Sequence, residues 1–244
     1  MYKRFGSPVI ILGMHRSGTT LVSRWFTKMG FHMGVYKDHN EESLPFLSQN
    51  QKWLAEEGAS WDKPIVIRKM PPFSALELYG EHIATPTKNP YLLLLKGPRN
   101  WGFKDPRNTF TLSSWLRIFP DAKIIHVVRH GGDVAKSLVY RNHKPGEVRS
   151  AVAQSFERAF ELWEKYVAEA ENYSHLPNYI QVKYEDVVRL DPNTLQKIER
   201  LFKNNPTTAL EEAGMTPARV YEYSDAERAI VNASQQMKKL GYTD

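Results

Sequence analysis

Residues 13–20 read Gly13-Met14-His15-Arg16-Ser17-Gly18-Thr19-Thr20 and follow the apolar run Val9-Ile10-Ile11-Leu12. A buried strand, a small-residue turn and a helix start make a phosphate cradle, because unpaired backbone N–H groups converge on an anion and the helix dipole adds to the attraction. The spacing, Gly-x-x-x-x-Gly and then two further residues, is that of a phosphate-binding P-loop, yet the Lys of a nucleoside triphosphatase is replaced by Thr19. Without an amine that reaches the β/γ-phosphates, triphosphate hydrolysis is disfavoured, whereas holding a single 5′-phosphate is not. His15, Arg16, Ser17, Gly18, Thr19 and Thr20 are therefore the candidate cradle residues.

A second group lies in Lys123-Ile124-Ile125-His126-Val127-Val128-Arg129-His130-Gly131-Gly132-Asp133-Val134-Ala135-Lys136-Ser137. A buried strand would deliver Arg129 at its carboxyl end, and the following helix would place Ser137 about two turns in. A guanidinium fork and a hydroxyl can hold a dianionic phosphate through charge-assisted hydrogen bonds. Two such anion sites on one sheet edge suit a nucleotide phosphorylated at both ends.

The elements that must position these groups alternate between strand and helix. The apolar runs predict strands at 9–12, 101–104, 122–128 and 179–182, while 91–95 is ambiguous between helix end and strand. Helical periodicity predicts helices over 17–29, 41–57, 110–119, 131–140, 147–170 and 192–202, the last interrupted by Pro206. Residues 59–75, with Pro64, Pro71 and Pro72, read as loop, and the last forty residues as short helices and loops. This order implies an α/β fold, a P-loop-like three-layer αβα arrangement around a central parallel sheet of about five strands, with the site at the strands' carboxyl ends. One domain over 1–244 is expected, with no internal repeat, low-complexity tract or linker.

Composition limits the chemistry further. The chain has 244 residues, no cysteine and eight histidines, so disulfides, thiolate catalysis and Cys-type metal sites are excluded. The histidines form no helical His-Glu-x-x-His pair, and no metal is expected. A net charge of +6 favours anionic partners, but pairs such as Lys3-Arg4 and Lys238-Lys239 are too sparse for a nucleic-acid stripe. No apolar run approaches the ~20 residues of a membrane span, and the N-terminus lacks a secretory apolar segment, so a cytoplasmic location is expected.

Taken together, these motifs resemble those of the PAPS-dependent sulfotransferases, in particular the bacterial-type members. Arg16-Ser17-Gly18-Thr19-Thr20 is similar to the family's 5′-phosphosulfate loop, and Arg129 with Ser137, eight positions on, to its 3′-phosphate motif. Lys183-Tyr184-Glu185-Asp186 resembles a late Tyr-Glu-Asp segment whose Tyr lies near adenine, and Trp101-Gly102-Phe103-Lys104-Asp105-Pro106-Arg107 resembles the family's Lys-Asp-Pro-Arg segment. The resemblance runs from about residue 8 to residue 190, and it is the joint order of four motifs that makes it specific.

The resemblance implies transfer of a sulfuryl group from 3′-phosphoadenosine-5′-phosphosulfate (PAPS) to a hydroxyl or amine by metal-independent in-line displacement, leaving 3′,5′-ADP (PAP). It implies that Arg16 is an electrostatic clamp on the leaving oxygen and that Lys104 contacts the sulfuryl group. The His that cytosolic relatives use as base near that Lys is absent. The segment Asn40-Glu41-Glu42-Ser43-Leu44-Pro45-Phe46-Leu47-Ser48-Gln49-Asn50 instead fits a bacterial-type pattern, which makes Glu42 the expected base, ahead of Glu41, Asp105 and His15. In the plainer reading, Glu41 and Glu42 are first-turn helix carboxylates. Arg107 is a weaker site candidate, His126 reads as a core histidine and His130 as a solvent-facing one. The acceptor is a small molecule, lipid or glycan, for which Trp53, Trp61 and Phe73 would supply apolar faces. A degenerate nucleotide kinase and a non-catalytic nucleotide- or nucleic-acid-binding module are the competing readings.

Overall fold

Strand β1 (Val9–Leu12) is apolar at every position and fully buried, as a central strand covered by helices on both faces must be. The computed structural model describes residues 7–68, 75–83, 97–144, 149–202, 206–214 and 221–242. Within these, β1, β2 (Gly102–Lys104), β3 (Lys123–Val128) and β4 (Tyr179–Lys183) form one parallel sheet in the order β2-β1-β3-β4. The sheet thus has four strands among the described residues rather than about five; segment 91–95 lies outside them.

The register aligns Ile11 with Lys104 on one side and Ile125 on the other, so the carboxyl ends of β1, β2 and β3 open onto one edge. Side chains alternate across the sheet. Val9, Ile11, Ile125, Val127 and Val182 pack against α1 (Thr19–Lys28), α7 (Tyr184–Val188), α8 (Pro192–Phe202) and α9 (Pro206–Glu212). Ile10, Leu12, Ile124 and Val128 pack against α2 (Leu44–Glu56), α4 (Asn108–Ile118), α5 (Gly131–Asn142) and α6 (Phe156–Glu171). The outcome is the expected three-layer αβα arrangement.

Several boundaries differ from expectation for local reasons. Helix α2 begins at Leu44 after Ser43, so Glu41 and Glu42 precede the helix and are not first-turn carboxylates. Helix α6 begins nine residues later than its periodicity suggests. The Ser150 hydroxyl accepts from the amides of Val152 and Ala153, and the Ser155 hydroxyl caps α6 from Arg158 N, so local side-chain bonds win over the apolar pattern. Pro206 opens α9 rather than merely ending α8, which its fixed φ and missing N–H allow. Helix α3 (Ala75–His82) falls in a region read as loop or left unassigned. The C-terminal region adds α10 (Asp225–Ala233), opened by a Ser224–Glu227 capping box, and α11 (Gln235–Lys239). No helix among the described residues is long and apolar enough to cross a membrane.

Candidate active site

The β1–α1 turn is held in backbone conformations that few residues adopt. Arg16 has φ 72° and Gly18, which caps α1, has φ 89°. A side chain at Gly18 would put its Cβ 2.1 Å from the Tyr184 ring, so that ring closes directly over the turn. The Ser17 hydroxyl is buried with no hydrogen-bond partner among the described residues. An unsatisfied buried hydroxyl beside the start of a helix offers donors that an anion could use.

The second motif folds onto the first. Arg16 Nε donates to Ser137 Oγ at 2.9 Å, although the two residues are 121 positions apart in the chain. Arg129, at the tip of β3, is 8% exposed; its guanidinium reaches the Arg16 carbonyl at 3.4 Å and pairs with Asp133 at 3.0 Å. The same guanidinium lies 5.1 Å from the Tyr184 ring centroid, so Arg16, Gly18, Arg129, Ser137 and Tyr184 form one cluster.

Opposite this cluster stands a carboxylate held by two cations. Glu42 is 2% exposed; Lys104 Nζ lies 2.9 Å from Oε1 and Arg107 NH1 lies 3.1 Å from Oε2. A tight turn presents it: the Asp38 carboxylate accepts from the amides of Asn40 at 2.9 Å and Glu42 at 2.8 Å, and Glu41 adopts φ 65°. The Asn40 carbonyl accepts from both Lys104 Nζ at 3.0 Å and Thr20 Oγ1 at 3.1 Å, tying this turn to the cradle helix. Burial and the nearby Asp105 carboxylate raise the Glu42 pKa above the ordinary range and prevail over the two cations, which pull it down.

The alternative bases are arranged differently. Glu41 pairs with Lys37 and, at 3.4 Å, with Arg24, away from the Lys104 cluster. Asp105 is fully buried and engaged in structural contacts: it accepts from Asn50 Nδ2, Arg107 N and Arg107 NH1, each at 2.9 Å. Lys104 pairs with Glu42 rather than with its chain neighbour. His15 sits at the cavity wall with its Nε2 buried, edge-on to Trp61 at 4.7 Å between centroids. Burial first, then the charges of Arg107 and Lys104, hold its pKa well below the usual histidine value.

Residues of both groups line one cavity of about 360 Å³, among them His15, Arg16, Gly18, Thr19, Thr20, Arg129 and Tyr184 together with Glu42, Lys104 and Arg107; Ser17 and Ser137 lie behind its lining. Asp38, Asn40 and Arg141 also line it and were not singled out from sequence. The Asp38-His39-Asn40 spacing, which favours an Asx turn, was the available signal for the first two. Trp61 borders the cavity beneath the Arg141 guanidinium, 4.8 Å from the ring centroid. Trp53, by contrast, is core, 4.6 Å from Trp115, and Phe73 lies outside the described residues. His126 is a core side chain hydrogen-bonded to Tyr179 at 2.6 Å. His130 does not merely face solvent; its ring packs against Tyr223 and Tyr242.

The sequence profile of the sulfotransferase family matches residues 8–204, and the chain belongs to that family. Solved structures agree in fold. A sulfotransferase from Alicyclobacillus acidocaldarius is 17% identical with a TM-score of 0.52, covering 98% of this chain and 96% of that one. The sulfotransferase domain of the Synechococcus PCC 7002 olefin synthase is 18% identical with a TM-score of 0.51, covering 87% and 80%. The sulfotransferase domain from the curacin biosynthetic pathway is 16% identical with a TM-score of 0.52, covering 98% of each chain. No curated protein sequence gives a significant match.

Proposed function

We propose that this sulfotransferase-family chain uses PAPS as its sulfuryl donor and transfers the group to a hydroxyl or amine acceptor. The observation that carries this reading is the 2.9 Å contact of Arg16 with Ser137: it sets the two motifs side by side, as a single doubly phosphorylated adenosine would require. Cradle amides at the start of α1, that of Thr20 included, hold the 5′-phosphate with the Ser17 and Thr19 hydroxyls, while the Thr20 hydroxyl stays on the Asn40 carbonyl. Arg129 and Ser137 hold the 3′-phosphate, and Tyr184 flanks the base. The donor, when bound, supplies an activated S–O bond.

The remaining chemistry is assigned to the chain's own groups. Glu42 takes the proton from the acceptor hydroxyl as the new S–O bond forms and the old bond to the 5′-phosphate oxygen breaks, which leaves 3′,5′-ADP and a sulfate ester. Both Glu42 oxygens already accept one hydrogen bond, and each carboxylate oxygen keeps a second lone pair for that proton. Two of the three Lys104 donors are used by Glu42 and Asn40; the third is directed to the sulfuryl oxygens. Arg16 stays charged throughout and stabilises the leaving oxygen; single donors of this kind contribute about 3–4 kcal/mol.

The test is a ligand-stabilisation series followed by turnover. Stabilisation by 3′,5′-ADP without magnesium, and not by ATP, is expected, as is transfer of labelled sulfate from PAPS to a member of an acceptor panel. Stabilisation by Mg-ATP alone would instead select the kinase reading, and tight polynucleotide binding with a steep salt slope would select a binding module.

A further inference from the structure

The family match ends at residue 204, yet the C-terminal segment 221–242 packs against the turn that carries Arg129. The Tyr223 hydroxyl donates to Asp133 Oδ1, while Asp133 Oδ2 accepts from Arg129 NH2 at 3.0 Å. Gly132, beside Asp133 in the first turn of α5, lets the Tyr223 ring approach: a Cβ there would lie 2.8 Å from it. The His130 ring stacks on Tyr223 at 5.8 Å and meets Tyr242 edge-on at 5.4 Å. Tyr242 in turn donates to Glu185 Oε2 at 2.7 Å, and Glu185 Oε1 accepts from His130 N at 3.0 Å. The Lys136–Glu227 pair, at 2.7 Å, fastens α10 to α5.

The Arg129 guanidinium is anchored at the Arg16 carbonyl through NH1 and at Asp133 through NH2, and fixing the second Asp133 oxygen sets the direction of the NH2 anchor. We propose that Tyr223 is a positioning residue for Arg129. Acting through Asp133, it holds the guanidinium in the orientation that recognises the 3′-phosphate, so that the C-terminal segment sets selectivity for a 3′-phosphorylated nucleotide. This rests on the donor reading above. Tyr223 itself need not touch the nucleotide.

The experiment is calorimetric titration with two probes, 3′,5′-ADP and 5′-AMP, on the full chain, using the wild type, Tyr223→Phe, Asp133→Asn and the double variant. Tyr223→Phe keeps the ring against Gly132 and His130, and Asp133→Asn reads the same contact from its other side. The expected result for Tyr223→Phe is a loss of about fivefold in 3′,5′-ADP affinity, the size of one net hydrogen bond, with 5′-AMP affinity unchanged. Asp133→Asn should lose at least as much, and the double variant no more than Asp133→Asn alone. Equal losses for both nucleotides, no loss in Tyr223→Phe, or additive losses in the double variant would each overturn the positioning role. A wild type that binds 3′,5′-ADP no better than 5′-AMP would instead overturn the donor reading, and this inference with it.

Discussion

Glu42 and Lys104, from a loop and a strand tip 62 residues apart, meet at 2.9 Å with side chains only 3% and 2% exposed. A buried ion pair broken on one side leaves an uncompensated charge, which typically costs about 3–5 kcal/mol. Lys104→Met should therefore lower stability by roughly 3 kcal/mol, softened by the remaining Arg107 contact, and the Lys104→Met/Glu42→Gln double variant should recover part of that loss. Denaturant titration of the four proteins checks this; strictly additive losses would show that the pair is not coupled.

Catalytically, Glu42→Gln is expected to abolish turnover while 3′,5′-ADP affinity stays within about twofold, since the amide keeps the shape and still accepts from Lys104. A variant with normal turnover would remove Glu42 from the reaction.

The pH dependence of kcat/KM follows from the same environment. Burial and Asp105 raise the Glu42 pKa, so activity should fall on acidification at a pH above the ordinary glutamate value of about 4.3. Asp105→Asn removes a like charge and should move that acidic limb down. Arg107→Gln removes a cation and should move it up. Opposite shifts would mean that another group titrates.

At the cradle, Gly18→Ala must place a methyl group where the Tyr184 ring lies and must hold an L-residue at φ 89°. A stability loss of about 1–2 kcal/mol is expected from the backbone alone, with a loss of 3′,5′-ADP affinity greater than tenfold. Gly18→Ala/Tyr184→Ala should relieve the clash but not the backbone strain. Equal stability of the single and double variants would indicate that the ring yields freely.

Two buried histidines set an acid limit on stability. Burial lowers the pKa of His82 and of His126 to about 3 in each case. Below the unfolded value of about 6.5, the unfolded chain gains protons that the native state refuses, so stability present at neutral pH is lost as pH falls toward 3. At pH 5 each should account for about 2 kcal/mol. His82 Nδ1 also contacts Ser43 Oγ at 2.8 Å, next to Glu42, so acid should loosen the base-bearing loop. Urea midpoints at pH 7.5 and pH 5.0 for the wild type and His126→Asn provide the check, and an unchanged pH slope in the variant would rule out that histidine as a source.

Much of this molecule was readable from residue order. The apolar runs 9–12 and 123–128 are strands because a parallel sheet buries both faces, and α8 spans Pro192–Phe202 as its periodicity predicts. Their alternation with helices implies carboxyl ends on one edge, and hence that Arg16 and Arg129 share a site. Hydrogen bonds local in sequence but absent from hydrophobic periodicity moved the boundaries: Ser150 and Ser155 delayed α6, and the Asp38 turn lifted Glu42 out of α2. What only the tertiary structure decided is partnership. Lys104 pairs with Glu42 and not Asp105, Trp53 joins the core while Trp61 borders the cavity, and Tyr223 reaches back to Asp133. Such choices depend on which side chains meet across elements far apart in the chain, where desolvation and charge are settled by neighbours that no local spacing encodes.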